Sequence, residues 1–481
     1  MVGWPGCVAV QGSGRLGSGS GSSVAKTLST GVITIPLMQK AGFPARFAAG
    51  VEAAASTGGQ LMPPVMGAGA FIMASYTQIP YVDVIAVAAL PALLYFLSVG
   101  FFVRVEAMRS QAHAVELDTR PIGEVFKDGW HYLLPLVVLV SLLIYGFTPT
   151  YAAGISIISV VVSSWLSRHP MGLMDIFDAL AQGSKNMATT AMLLIAVGLV
   201  VNVVAMTGIG NTFSLMVAEW AGGSLLITLL LVALASLILG MGLPVTAAYI
   251  VLATLSAPAL YNLIAEMQLV DMMVSGSLPE VARTIFLLVE AEKAALLAEP
   301  MSKIDAQQLL ALVPGDFKGQ LLEQAIDPAH LTMILLSAHM IIFWLSQDSN
   351  VTPPVCLTAF AAAAIAKTPP MATGFTAWKI AKGLYIVPLL FAYTNFIGGT
   401  TAEVLSIFFF SIFGIYALVG FMEGYLESPL NPLLRLISGA AGGLMLWPHG
   451  EWWMSSLGLL VFIALFIYSR VRRENPAAAL A

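Results

Sequence analysis

Charge is scarce in this sequence. Lys, Arg, Asp and Glu make up 10% of the 481 residues, against 58% hydrophobic residues and a mean hydropathy of +0.87. A water-soluble chain carries roughly a quarter charged residues. So few charges cannot solvate the surface of a chain this long, and lipid has to be the solvent for most of it. Cysteine is rarer still: Cys7 and Cys356 are the only two and have neither metal nor disulfide spacing. The formal net charge of −5 is modest and spread out, which argues against nucleic acid as a partner. The histidines (His113, His131, His169, His330, His339, His449) are scattered, and no HExxH, P-loop or nucleophile elbow occurs. An ATPase or a membrane protease therefore lacks its parts, and the reading is of a protein that is not an enzyme and needs no cofactor.

Long apolar runs are what the chain has instead. A membrane-crossing helix needs about 20 mainly apolar residues. Such runs lie at 82–103, 131–146, 148–166, 186–206, 222–239, 331–346, 353–366, 383–397, 404–422 and 453–470, with weaker ones at 46–75 and 434–448. The 43 glycines fit close helix–helix approach. Several runs are short or interrupted by Gly, Pro and Ser. In hydrocarbon a broken helix leaves unpaired backbone groups, tolerated only inside protein or around a watery cavity. The pattern predicts an all-α polytopic membrane protein in contact with membrane lipids, with functional breaks in some of its helices.

Basic residues collect on the cytoplasmic side. Arg470, Arg472 and Arg473 follow the last run and place the C-terminus there. Counting back, with 331–366 as one broken span, the loop 367–382, the connector 104–130 and Arg168 with Lys185 all fall inside, provided that 222–261 is a re-entrant hairpin entered from the periplasm. Trp447, Trp452 and Trp453 suit an interfacial belt. Residues 262–330 carry ten acids among Leu and Ala at helical spacing and read as a solvated, amphipathic periplasmic insertion.

An internal repeat organises these pieces. Residues 58–71, GGQLMPPVMGAGAF, and 348–360, DSNVTPPVCLTAF, each have a small or polar break, a Pro-Pro pair and then a small-residue helix. Each follows a Gly-rich tip, GSGSSVAKT at 19–27 and GMGLPVTAA at 240–248, aligning Gly19 on Gly240, Gly21 on Gly242 and Val24 on Val245. Gly240 to Pro353 is 113 positions and Gly19 to Pro63 is 44; the difference of 69 is the length of 262–330. By the charge count the tips are approached from opposite faces, which makes the repeat inverted, as in alternating-access carriers with a midplane site.

The chain then divides into an atypical N-terminus (1–16), repeat 1 (17–103), a cytoplasmic connector (104–130), connecting helices with the second hairpin (131–261), the insertion (262–330), repeat 2 (331–422) and a C-terminal helical hairpin (423–481). Some 70 residues (171–239) precede the second tip but only a short polar stretch precedes the first. The first arm of the first hairpin is therefore expected to be missing.

Four breaks are expected to converge. They offer Ser20, Ser22 and Ser23; Ser56, Thr57, Gly58, Gly59 and Gln60; Gly240, Gly242, Pro244 and Thr246; and Gln347, Asp348, Ser349, Asn350 and Thr352. Helix N-termini facing such a cavity suit a carboxylate, while carbonyls and hydroxyls suit a sodium ion. Asp348 and Asn350 are the candidate sodium ligands, Asp348 also a proton carrier. Lys26 and Glu52 are intramembrane charges and are expected to have a charge role. Lys26 suits either a substrate carboxylate or the place of a coupling cation, and snorkelling is the plainer alternative.

The blocks GSSVAKTLSTGVITIPLMQKAGF, VEAAASTGGQLMPPVMGAGAFIMA, GMGLPVTAAYIVLATLSAPAL and DSNVTPPVCLTAFAAAAIA closely resemble the large membrane subunit of TRAP transporters, the tripartite ATP-independent periplasmic transporters. The likeness is greatest to the fused permeases that work with a TAXI-type binding protein, and it covers about 17–261 and 331–422. It implies an ion-transporter-superfamily inverted repeat with two re-entrant hairpins and two broken helices, in a bacterial inner membrane. It further implies import of a small organic acid, delivered by a periplasmic binding protein and driven by a sodium or proton gradient. A stand-alone sodium–dicarboxylate carrier of the same superfamily and an inactive membrane fragment are the alternatives. Three departures stand out: the missing small-subunit helices and hairpin arm, Lys26 where a small amide such as Asn is expected, and the length of 262–330.

Overall fold

The protein is described by a computed structural model covering residues 22–113, 121–167, 170–289, 300–447 and 452–474, with Gly6, Val10, Gly12 and Leu297. The tip residues Gly19, Ser20 and Gly21 lie outside the described residues. Among those described the elements are all helical, and eight helices are long and apolar enough to cross a membrane. They include Tyr81–Arg109, Leu173–Thr207, Val245–Ser275, Thr401–Glu423 and Trp452–Glu474. The chain is a multi-pass membrane protein.

Prolines break two of the helices. Ala45–Gly58 and Ala68–Thr77 flank the first break; Pro328–Ser346, the single turn Asp348–Val351 and Leu357–Ala366 form the second. Pro63–Pro64 and Pro353–Pro354 offer no N–H to continue a helical ladder, and both pairs are joined by cis peptides. Carbonyls in the first break find other partners: that of Gln60 accepts from the Gly67 amide at 2.8 Å, and the Tyr81 hydroxyl, 2.7 Å from the Pro64 oxygen and 2.8 Å from that of Val65, donates to one of them. Buried carbonyls left bare would cost several kcal/mol each in a dry setting, on the order of what a lost membrane-core hydrogen bond costs.

The centre is built from small residues. Ala45–Gly58 packs against Ser23–Lys40, Leu357–Ala366 and Pro370–Ile380, and every residue from Ala48 to Gly58 is buried. A Cβ on Gly50 would lie 2.9 Å from Thr376 Cγ2 and 3.2 Å from the Ala377 amide nitrogen, so only glycine allows this approach. A Cβ on Gly58 would run into the Tyr95 ring, while the Tyr95 hydroxyl donates to the Ala54 carbonyl at 2.8 Å.

The second hairpin pairs Leu225–Gly240 with Val245–Ser275 across the turn 241–244. Its 16-residue first arm is shorter than a span. Its second arm differs from the expected end at 261, running on to Ser275. The acids Glu266 and Asp271 do not stop it because Ile264, Ala265, Leu269, Val270 and Met273 keep a buried face at helical spacing. Gly276, with φ 70°, ends it in the left-handed conformation that favours glycine.

Two further boundaries differ from the sequence reading. The helix expected from 186 begins at Leu173, where Asp175 Oδ2 accepts from the Gly172 amide at 2.9 Å and caps a polar first half. Residues 367–382, read as a loop, contain the helix Pro370–Ile380. Its lysine charge is met by protein, with Lys379 Nζ 2.6 Å from Glu423 Oε1. The insertion forms short helices Glu280–Val289, Lys303–Ala311 and Gly315–Ala325, which bury Phe286, Leu309, Leu310, Leu321 and Leu322. Lys318 Nζ is tied to Glu266 Oε1 at 2.8 Å.

Candidate functional site

Asn350 is the centre of a buried polar junction. Its Oδ1 accepts from Ser23 Oγ at 2.9 Å and from Thr358 Oγ1 at 3.4 Å. Its Nδ2 donates to Gln60 Oε1 at 2.8 Å and to Gln347 Oε1 at 3.3 Å. Ser23 and Thr358 hydroxyls are themselves 2.8 Å apart. Ser23 opens the helix Ser23–Lys40 and Thr358 lies in the first turn of Leu357–Ala366. Two helix N-termini, with their free N–H groups and positive dipole ends, thus meet at one amide.

The second hairpin reaches the same break. Ser236 Oγ donates to the Leu345 carbonyl at 2.9 Å, and a Cβ on Gly240 would stand 2.8 Å from Ser349 Cβ. Both contacts advance by four residues, so one face of the hairpin arm lies along the end of the broken helix. Gly242 and Pro244 are instead exposed at the turn, and Thr246 is half-buried as the second residue of the second arm. Ser22 is exposed and caps its helix, accepting from the Ala25 amide at 3.4 Å.

Asp348 has no exposure. Its Oδ1 accepts from Thr352 Oγ1 at 3.3 Å, while Oδ2 has no hydrogen-bond partner among the described residues. Thr352 reaches Tyr385 Oη at 3.2 Å, and Tyr385 Oη accepts from Trp378 Nε1 at 2.9 Å. The Lys382 ammonium stacks 3.1 Å from the centroid of the Trp378 ring and interacts electrostatically with Asp348. The orphaned carboxylate oxygen is the donor a hard cation or a proton would use. Asn350 Oδ1, already accepting twice, has less left to give. Ser349 Oγ turns back to the Ser346 carbonyl at 3.2 Å.

Glu52, also without exposure, sits in a separate hydroxyl pocket. Its Oε1 accepts from Thr30 Oγ1 at 2.5 Å and from Ser56 Oγ at 3.1 Å, and its Oε2 from Thr34 Oγ1 at 2.6 Å. Lys26 lies one turn from Ser23 on the same helix and is only 2% exposed, so it does not snorkel to an interface. Thr57 hydrogen-bonds its own helix at the Ala53 carbonyl, 2.9 Å away. Gly58 and Gly59 close the helix so that Gln60 can turn into the junction.

Sequence reasoning missed Thr30, Thr34, Ser236, Thr358, Trp378, Lys382 and Tyr385. A signal was present for the first three: Thr30 and Thr34 are four apart on one helix face, and Ser236 interrupts an apolar run four residues before Gly240. None marked the Trp378–Lys382–Tyr385 cluster, which only folding brings to Asp348. A cavity of about 580 Å³ is lined by residues such as Asp271, His330, Asn395 and Glu403 and contains none of the junction residues.

The sequence was compared with known proteins. No curated protein sequence matches it. The family model described as tripartite ATP-independent periplasmic transporter, DctM component, matches residues 1–397, and that stretch carries the whole polar junction. The chain belongs to this family, whose members are the permease components of transporters working with a periplasmic binding protein.

Proposed function

We propose that this chain imports a small organic acid by cation symport, receiving it from a TAXI-type periplasmic binding protein in a bacterial inner membrane. Asn350 carries the reading, because it ties three of the four breaks together while the fourth packs on its neighbour Ser349. The N-termini at Ser23 and Thr358 supply N–H groups and dipoles for a carboxylate. Asp348, with its free oxygen, takes the coupling cation, sodium or a proton. Repositioning the two broken helices against each other exposes the junction to one face and then the other.

The test is uptake of a labelled organic-acid panel into proteoliposomes, with and without the binding protein, under imposed sodium or proton gradients. Gradient-driven uptake that needs the binding protein is the expected result. Uptake without any binding protein would favour a stand-alone carrier, and none under any gradient would remove the proposal.

A further inference from the structure

Lys26 and Glu52 are two buried, opposite charges that the polar junction around Asn350 does not use. Glu52 holds three hydroxyls, those of Thr30, Thr34 and Ser56. The Thr30 and Thr34 hydroxyls also lie 2.9 and 3.1 Å from the Lys26 and Thr30 carbonyls, farther than from the carboxylate, so their protons go to Glu52. A carboxylate ringed by hydroxyl oxygens is the donor set of a hard monovalent cation. The nearby cation, however, is the protein's own. The Lys26 ammonium interacts electrostatically with Glu52, yet Nζ is buried with no hydrogen-bond partner among the described residues. An ammonium normally makes up to three hydrogen bonds, so its burial without them is costly and calls for a reason other than packing.

We propose that Lys26 is a tethered cation: its ammonium neutralises Glu52 in place of a mobile ion, and the oxygens of Glu52, Thr30, Thr34 and Ser56 form a sodium site once that ammonium is removed. Its consequence for coupling rests on the proposed transport function, since the pocket then contributes a fixed charge and no carried ion. The pocket itself does not depend on that reading. Thr30, one turn beyond Lys26, lies between the two residues, its hydroxyl 2.9 Å from the Lys26 carbonyl and 2.5 Å from Glu52 Oε1. Closeness to Gly31, whose Cβ would stand 3.3 Å from Glu52 Cγ, keeps the carboxylate against this helix.

The experiment is sodium binding to the purified full chain, read as radiolabelled sodium retained and as the shift in Tm when choline is exchanged for sodium at constant ionic strength. Lys26→Ala is expected to gain one bound sodium and a sodium-dependent rise in Tm of about 2 °C or more, as for any ligand specific to the folded state. Adding Glu52→Gln should abolish that gain, and Lys26→Arg should not show it. If Lys26→Ala does not fold in choline, its recovery in sodium is the expected readout. A folded Lys26→Ala without the gain, recovery in neither salt, or a wild-type sodium response that Glu52→Gln removes, overturns the proposal. None of these readouts requires transport, so failure of uptake and failure of the tethered cation are separate results.

Discussion

Gln60 and Asn350, 290 residues apart, meet in a 2.8 Å hydrogen bond that joins the first broken helix to the second. Each sits on the polar side of a proline pair, and Asn350 Nδ2 also reaches Gln347 Oε1 within its own break, at 3.3 Å. The bond is buried, so losing one partner takes a buried hydrogen bond from the other. Such a loss costs about 1–3 kcal/mol for a buried neutral group.

Asn350→Leu should therefore lose gradient-driven uptake by at least about tenfold, since Ser23, Gln60 and Thr358 lose their common partner. Proteoliposome uptake and thermal unfolding measure the two effects. Wild-type rates would remove Asn350 from the site.

Asp348→Asn should abolish uptake or detach it from the ion gradient, because an amide neither binds a hard cation strongly nor carries a proton. Initial rates under sodium and proton gradients give the answer. Wild-type kinetics in this variant would exclude Asp348 from coupling.

Gly240→Ala should slow uptake, since the added methyl would stand 2.8 Å from Ser349 Cβ. Ser349→Gly removes that atom and should restore much of the rate in the double variant. Simple addition of the two defects would show that the hairpin and the broken helix do not act on each other here.

Glu427→Ala should lower stability. Glu427, almost fully buried, pairs with Arg104 and, at 2.8 Å, with Arg473 Nη1. The arginines are half-exposed, so the loss is discounted for screening to about 1–2 kcal/mol. A lower Tm in detergent checks it; an unchanged Tm would show that solvent already screens both arginines.

Charge reversal at the exposed Glu280, Asp305 and Glu323 should leave uptake unchanged, since the insertion buries its own apolar face. A parallel loss of uptake and of binding-protein affinity would instead make it the docking surface.

Composition by itself determined that the chain lives in lipid, because 10% charged residues cannot wet its surface whatever its fold. Proline pairs and glycine-rich segments likewise marked the helix breaks, since a missing N–H acts locally. The span ends were less legible. Val245–Ser275 and Leu173–Thr207 run past their expected limits because capping and one buried face outweigh a few charges. Only the tertiary structure decided which polar groups satisfy one another. It turned Ser22 outward as a cap, sent Ser23 to Asn350, enclosed Lys26 with Glu52 and brought Tyr385 and Lys382 to Asp348. Those pairings span tens to hundreds of residues. Spacing along a chain constrains partners only within a helical turn or two, and beyond that the packing of helices assigns them.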